Sequence, residues 1–394
     1  MSRRLASRLG LVAPSPTMAV AAEADKLKRA GTPVLDFSIG EPDLPSPDAV
    51  KAAGVRAIEQ DFTHYTASPG ILELRKAIAD SYGKRFGLEL KPTEVMVGPG
   101  AKGVLFATMM ALVSPGDDVV IVAPYWVSFP EQVKLAGGNP VIAETRADDA
   151  FTIRAAAIEA VLTPATKVVI LNAPSNPTGG LLPKDEAAKI AQLCVERDLW
   201  LVSDETYEAF VYDPADAVSM LSWRAQLGER LIITSAFSKT WAMTGWRAGY
   251  AIASEAVVKA LVTVQSHDGS QASSITQKAA LAAITDAADA PKAMLEEYRV
   301  RRQLVLDLLA EVPGAQCLPP KGAFYAFPDV RGILARRGFK DSVELCAALL
   351  REEAVALVPG EAFGAPGYVR ISYATSRETI REGMTRFAKF AAGS

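Results

Sequence analysis

KVVILNAPSNPTGG (residues 167–180) is a run of successive apolar residues that ends in a polar turn. Apolar side chains at successive rather than alternate positions indicate a strand buried on both faces, which is typical of a parallel sheet covered by helices. Similar runs alternate with helical patterns between about residues 90 and 253: VVIVA, PVIAET, LWLVSDE, LIITSAFS and GYAIA. The sequence therefore predicts an α/β fold with a mostly parallel sheet flanked by helices.

The segments on either side of this region differ from it in character. Residues 31–48 carry four prolines, which favours an extended connection over a helix. Residues 291–311 keep apolar side chains close to helical periodicity, and two strand-like runs, CLPPKGAFYAF and YVRISYAT, follow them. We therefore expect a large domain at residues 49–290 and a smaller α+β domain at residues 291–394. Residues 1–48 are predicted to form an N-terminal segment that joins the small domain.

Composition narrows the classes of partner. The 394 residues are 49% hydrophobic and 22% charged, with a formal net charge of -3, so no electrostatic feature favours nucleic acid or an anionic membrane. Three cysteines without C-x-x-C spacing and only two histidines argue against a metal site, a disulfide framework and a His-based triad. The basic start of the chain lacks the apolar core of a signal peptide, and no apolar run reaches membrane-spanning length. We expect a cytoplasmic protein that acts on small metabolites.

Polar side chains follow the predicted strands, where ligands gather in an open parallel sheet. They are Asn176 after VVIL, Asp204 after LWLV, Lys239 after LIIT, and Arg247 eight positions later. Each has an ordinary structural explanation: a β-turn, a helix N-cap, a lysine that reaches the surface, and a surface ion pair. Together they match the needs of pyridoxal phosphate, which are a nucleophilic amine, a carboxylate for the ring nitrogen, a donor for the phenolic oxygen and a phosphate ligand.

Three motifs, NAPSNPTGG, LVSDETY and SKTWAMTGWRAGY, are similar to those of the class I aminotransferases of the aspartate aminotransferase family. SIGEPD, HYTASPGILELR, APYWVSFP and GYVRISYAT also resemble that family, in matching order, so the resemblance spans nearly the whole chain. It implies fold type I of the pyridoxal-phosphate-dependent transferases, with a seven-stranded sheet and a smaller α+β domain. It also implies pyridoxal 5'-phosphate as the cofactor and a homodimer with shared active sites.

The resemblance assigns roles to individual residues around the cofactor ring. Lys239 would be the Schiff-base lysine and the base that moves the proton between the substrate and the cofactor. Asp204 would pair with the ring nitrogen, and Trp126 would stack on the ring. Tyr207 and Asn176 would bind the phenolic oxygen.

The resemblance also implies two anion sites. Arg247 would bind the phosphate, helped by Tyr65 from the neighbouring subunit. Arg370 would bind the substrate α-carboxylate, with Asn176, Trp126 and the backbone of Gly40 beside it. The family usually has Ser or Gly three residues before the lysine, whereas this chain has Ala236, flanked by Ser235 and Ser238. Ser235 is therefore a candidate phosphate ligand in its place.

VGPGAKG (residues 97–103) matches the G-x-G-x-x-G fingerprint of dinucleotide-binding folds. In that fingerprint the acidic residue ends the second strand, whereas Asp118 precedes VVIVA, so the dinucleotide interpretation fails. A glycine turn that opens a helix still leaves backbone N–H groups for an anion. In the resembled family this turn receives the phosphate, which implies a cradle of Gly100, Ala101 and Lys102.

The predicted reaction is transfer of the amino group from an L-amino acid, with aspartate favoured, to a 2-oxo acid, with 2-oxoglutarate favoured, by a ping-pong mechanism. An aminotransferase for aromatic or other amino acids, a lyase or synthase of fold type I, and a ligand-sensing domain without turnover are alternatives, since the fold does not fix the reaction. By resemblance, Ser15 and Thr17 would contact a distal carboxylate. QSHDGSQASS (residues 265–274) lacks the arginine that one branch of the family supplies there, and leaves His267 and Gln271 as alternatives to an ordinary helical role.

Overall fold

The computed structural model describes residues 5–214 and 218–393, so the outer ends of the predicted domain ranges, residues 1–4 and 394, lie outside the described residues. A seven-stranded sheet has the order β2-β8-β7-β6-β5-β3-β4. Its strands are β2 (Val95–Gly98), β3 (Asp118–Ala123), β4 (Asn139–Glu144), β5 (Thr166–Asn172), β6 (Trp200–Asp204), β7 (Leu231–Ala236) and β8 (Gly249–Ile252); β1 (Leu35–Asp36) lies outside this sheet. Only β8 runs antiparallel to its neighbours, so the predicted mostly parallel sheet is confirmed.

Helices cover both faces of this sheet. Successive residues of each strand point to opposite sides, and apolar residues on both sides need to be buried. Val168 and Ile170 of β5 join one apolar cluster, while Val169 and Leu171 join another. The α-helices of the described residues are α1 (Pro16–Arg29), α2 (Asp48–Glu59), α3 (Leu72–Phe86), α4 (Gly100–Leu112), α5 (Ser128–Leu135), α6 (Ala155–Glu159), α7 (Lys184–Glu196), α8 (Arg224–Leu227), α9 (Phe237–Thr240), α10 (Glu255–Asp268), α11 (Ser274–Thr285), α12 (Ala290–Ala310), α13 (Arg331–Arg337), α14 (Ser342–Glu353) and α15 (Arg377–Ala392).

A second, smaller body packs around β9 (Tyr325–Ala326), β10 (Val355–Ala356), β11 (Val358–Pro359) and β12 (Val369–Ser372). Three of its strands form a sheet of order β11-β12-β9, and the N-terminal strand β1 pairs parallel with β10. Its core contains Phe37 from the N-terminal segment together with Tyr298 of α12 and Phe387 of α15. This shared core supports our proposal that residues 1–48 and 291–394 form one small domain beside a large domain at residues 49–290.

The register of the large sheet decides where its polar strand ends meet. Asn172 at the end of β5 lies opposite Asp204 at the end of β6, and Asp204 lies opposite Thr234 near the end of β7. The residues that follow these strands are therefore brought to one edge of the sheet. Among residues 5–214 and 218–393, no helix has both the length and the apolar character needed to cross a membrane.

Candidate active site

A cavity of about 510 Å³ lies at this edge, between the large sheet and the small body. Residues from distant parts of the chain line it. They are Thr17, Met18, Ala21, Ser38, Ile39, Gly40, Glu41, Ala101, Lys102, Trp126, Asn172, Asn176, Asp204, Thr206, Tyr207, Ala236, Ser238, Lys239, Arg247, Tyr325 and Arg370. Most of the residues singled out in the sequence are therefore brought together in one cavity.

Lys239 lies in the short helix α9, directly after β7, and its Nζ donates a hydrogen bond to the carbonyl oxygen of Gly40 at 2.5 Å. Burial lowers the pKa of its ammonium group to about 8, and the charges of Arg370, Arg247 and Lys102 act in the same direction, while Glu41 opposes them. A substantial fraction of the amine is therefore neutral near physiological pH, as a nucleophile or a base requires.

Asp204 is the last residue of β6 and is 4% exposed. Its Oδ1 accepts hydrogen bonds from the backbone N–H of Thr206 at 3.1 Å and from the Thr206 hydroxyl at 2.6 Å. Burial raises the pKa of this carboxyl group to about 6, against the effect of those two hydrogen bonds. No cation pairs with Asp204 among the hydrogen bonds and ion pairs of the described residues, so it is suited to a protonated nitrogen supplied by a ligand.

The N-terminus of α4 and Arg247 form a site for an anion. The helix begins at Gly100, which has a φ of +77°, and a Cβ atom there would lie 2.5 Å from Nη2 of Arg247. Arg247 itself has a φ of +59°, and its Nη1 donates to the carbonyl oxygen of Thr244 at 2.9 Å. The guanidinium group thus lies beside the free N–H groups of a helix start, an arrangement that suits a phosphate.

Ser235 does not belong to this anion site. Side chains alternate along β7, so Ala236 lines the cavity while Ser235 points to the other face of the sheet. There its hydroxyl contacts the carbonyl oxygen of Glu205 at 3.5 Å and Oε1 of Glu208 at 3.4 Å. The structure therefore does not support the prediction that Ser235 is a phosphate ligand. Ser238, one turn later, is the serine that lines the cavity.

Arg370 of β12 is 3% exposed and reaches the cavity from the small body. Its Nη1 donates to Oδ1 of Asn176 at 2.9 Å, and its Nη2 donates to the carbonyl oxygen of Ser38 at 2.6 Å. Its Nε is buried and has no partner among the described residues. Burial lowers the pKa of Arg370 because the charged guanidinium group is removed from water. An anionic ligand beside it would compensate for that loss and stabilise the charged form.

Aromatic side chains complete the cavity wall. The Nζ atom of Lys102 lies 5.0 Å from the centroid of the Trp126 ring, and burial, followed by the charge of Arg247, lowers the pKa of Lys102. The hydroxyls of Tyr207 and Tyr325 are 2.7 Å apart. The sequence did not single out Tyr325, Glu41, Ser38 or Thr206 as lining residues. Ser38 and Glu41 stood within SIGEPD, and Thr206 within LVSDETY, two motifs that resembled the family, whereas Tyr325 stood only in a strand-like run.

Several predicted residues lie outside the cavity lining. Ser15 precedes α1, and its hydroxyl is 3.0 Å from that of Thr17, which does line the cavity. Tyr65 is 88% exposed. His267 and Gln271 lie at and just after the end of α10 and do not line the cavity. The described residues contain no group of His, Cys, Asp and Glu side chains that could hold a metal ion.

Comparison with known proteins assigns a family to this arrangement. Residues 32–387 match the family model described as aminotransferase class I and II. The chain is 40% identical over 387 residues to an aspartate aminotransferase of Bacillus subtilis, with 98% of each covered. It is 39% identical over 391 residues to a probable aspartate/prephenate aminotransferase of Aquifex aeolicus, with 99% of each covered.

Solved structures agree with these sequence relatives. An aspartate aminotransferase from Thermus thermophilus with maleate is 39% identical, with a TM-score of 0.92 over 98% of this chain and 100% of that one. An aspartate aminotransferase from Rhizobium meliloti is 37% identical, with a TM-score of 0.94 over 99% of each chain. The predicted fold class and transaminase activity are confirmed, and the chain belongs to the class I and II aminotransferases.

Proposed function

We propose that this transaminase transfers the amino group of L-aspartate to 2-oxoglutarate, with pyridoxal 5'-phosphate as its cofactor. The observation that carries the proposal is the charge of the cavity. Four cationic side chains, Lys102, Lys239, Arg247 and Arg370, line it together with two carboxylates, the deeply buried Asp204 and the exposed Glu41. A dicarboxylic amino acid and a phosphate bring three anionic groups, and the cofactor ring brings a nitrogen that Asp204 can keep protonated.

The residues present fit pyridoxal phosphate. Arg247 and the start of α4 would hold its phosphate, and Asp204, which has no cationic partner within the described residues, would hold its ring nitrogen. Tyr207 and Asn176 would bind the phenolic oxygen, and Trp126 would lie against the ring. Lys239 would attach it covalently. When bound, the cofactor supplies an electron sink that makes the proton on the substrate Cα removable.

Lys239 is the group in this cavity that suits the movement of that proton. Its pKa of about 8 lies close to the working pH, where a general base both accepts and returns a proton readily. The carbonyl oxygen of Gly40 holds the amine at 2.5 Å, so the side chain has a defined position on the cavity wall.

The two ends of the substrate are assigned to different cations. Arg370 uses one N–H of Nη1 for Asn176 and one of Nη2 for Ser38, which leaves its other N–H groups, including the unpartnered Nε, for the α-carboxylate. Lys102 lies over Trp126 on another part of the wall and would bind the distal carboxylate. Thr17, supported by Ser15, would add a hydroxyl from the N-terminal helix.

A homodimer is part of the proposal. Tyr65 is 88% exposed and contributes nothing to the cavity of its own chain, which fits a residue that reaches the phosphate of a partner subunit. Val55 and Ile58 of α2 and Leu72 at the start of α3 are also exposed apolar residues. An apolar surface of this kind is typical of an interface between copies of a chain.

The test is a panel of amino donors with 2-oxoglutarate as the acceptor, measured as kcat/KM. Aspartate should be the preferred donor, and Lys239→Ala should abolish turnover. A preference for aromatic donors would identify the alternative aminotransferase. Continued product release without any 2-oxo acid acceptor, beyond one equivalent per active site, would indicate a lyase or synthase. Full activity of Lys239→Ala would contradict the proposed mechanism.

A further inference from the structure

Tyr325 lies where three parts of the chain meet. It belongs to β9 of the small body and is fully buried. Its hydroxyl is 2.7 Å from that of Tyr207 in the large body. The guanidinium carbon of Arg370, on the neighbouring strand β12, lies 4.6 Å from the centroid of its ring. A Cβ atom on Gly40 of the N-terminal segment would lie 2.4 Å from the Tyr325 oxygen, so only glycine leaves room for this hydroxyl.

Either hydroxyl can be the donor of the bond that joins Tyr207 and Tyr325. Burial raises the pKa of Tyr325, and the positive charge of Arg370 opposes that rise most strongly. For Tyr207, in contrast, burial and then Tyr325 raise the pKa, and the opposing effect of Arg370 comes after them. The guanidinium group of Arg370 lies against the ring of Tyr325, and its positive charge favours donation by Tyr325. Each hydroxyl carries one hydrogen, so Tyr207 can donate to a ligand only when it accepts its bond from Tyr325. If Tyr325 donates to Tyr207, the O–H of Tyr207 remains free for an acceptor in the cavity, which both tyrosines line.

We propose that Tyr325 is a positioning residue that holds the Tyr207 hydroxyl toward the phenolic oxygen of the cofactor and links its hydrogen bond to the carboxylate site at Arg370. The inference rests on the proposed function, because it takes the phenolic oxygen as the acceptor. A hydroxyl that accepts a hydrogen bond is itself a stronger donor, so Tyr325 strengthens the bond that Tyr207 makes. A carboxylate on Arg370 neutralises the charge that favours donation by Tyr325, and so weakens the bond at Tyr207.

A second tyrosine pair supplies a matched control. The hydroxyls of Tyr212 and Tyr373 are 2.8 Å apart and are buried in the same core, but neither residue lines the cavity. Tyr325→Phe and Tyr373→Phe each remove one buried hydroxyl from a hydroxyl pair. A purely structural effect of losing such a bond should therefore appear in both variants, as a similar fall in thermal stability.

The experiment is a pH titration of the visible absorbance of the holoenzyme, with and without maleate as a dicarboxylate probe. A weaker bond to the phenolic oxygen favours its protonated form, so Tyr325→Phe should move the midpoint upward by about 0.5 to 1 pH unit, while Tyr373→Phe should leave it in place. Maleate should shift the midpoint of the wild type upward, because it neutralises the charge of Arg370, and this shift should be smaller in Tyr325→Phe. Transamination by Tyr325→Phe should fall about threefold to tenfold.

A mutant cycle with Tyr207→Phe tests whether Tyr325 acts through Tyr207. In the Tyr207→Phe background, Tyr325→Phe should change neither the midpoint nor the response to maleate, because the residue through which it acts is gone. An unchanged midpoint in Tyr325→Phe, or an equal shift in Tyr373→Phe, would overturn the inference. Absence of aspartate transamination in the wild type would instead refute the proposed function, so the two failures are distinguishable.

Discussion

At the scale of single residues, the chemistry depends on the lowered pKa of Lys239. The amine is charged below its pKa, so its reactive fraction should rise as the pH passes through about 8 rather than through the value of about 10.4 for a lysine in water. We predict that acetylation of Lys239 in the cofactor-free protein, followed by mass spectrometry of the modified peptide, has its midpoint near pH 8. The Lys239→Ala protein gives the background, and a midpoint at or above pH 10 would contradict the prediction.

Lys102 is a second single residue whose role can be tested, because its backbone and its side chain are assigned different tasks. Its backbone lies in the first turn of α4, at the proposed phosphate site, whereas its ammonium group lies over Trp126. Lys102→Met removes only the ammonium group. We expect kcat/KM with aspartate to fall about tenfold to a hundredfold, as for loss of a charge-assisted hydrogen bond, and kcat/KM with alanine to change little. An equal loss with both donors would show that the side chain serves the phosphate instead.

At the scale of elements, the anion site depends on close packing of β8 against the start of α4. A Cβ atom on Gly249 would lie 2.4 Å from both the Gly100 carbonyl carbon and the Ala101 nitrogen. Gly249→Ala must therefore push the first turn of the helix away from Arg247. We predict a loss of stability of about 1 to 3 kcal/mol and at least a tenfold weaker affinity for pyridoxal phosphate, measured by thermal unfolding and by fluorescence titration.

Gly245→Ala is the control for that variant. Gly245 lies in the same segment, four residues before Gly249, but a Cβ atom there would meet no other atom within 4 Å. Its affinity for the cofactor should match that of the wild type. If both variants bind pyridoxal phosphate normally, the position of the α4 N-terminus does not limit phosphate binding.

At the scale of the whole molecule, the proposed homodimer makes the exposed apolar residues of α2 necessary for activity. Ile58 is 55% exposed on this helix. We predict that Ile58→Asp converts the dimer to a monomer in sedimentation experiments and greatly reduces activity, because Tyr65 could then no longer reach a partner's phosphate. Val343→Asp changes a comparably exposed residue on α14 and should leave both properties unchanged. A wild-type monomer with full activity would exclude the shared site.

The sequence by itself determined the parallel sheet and most of the candidate site. Runs such as VVIL and LWLV are apolar at every position because helices bury both faces of the strand, and that pattern is visible within a short segment of sequence. The polar residue after each run therefore indicated both an element boundary and a cavity residue. Asn176, Asp204 and Lys239 line the cavity for this reason, whereas Arg247 lines it from the segment between α9 and β8.

Only the tertiary structure decided the contacts between distant segments. GYAIA has the same pattern as the parallel strands but forms the antiparallel β8, since side-chain burial does not encode strand direction. Whether Ser235 reaches the cavity depended on which face of β7 bounds it, and Ser238 reaches the cavity from α9 instead. Arg370 meets Asn176 across 194 positions of sequence, and Tyr325 meets Tyr207 across 118. Such pairs form because the small body packs against the sheet edge, and no pattern within either segment specifies that packing.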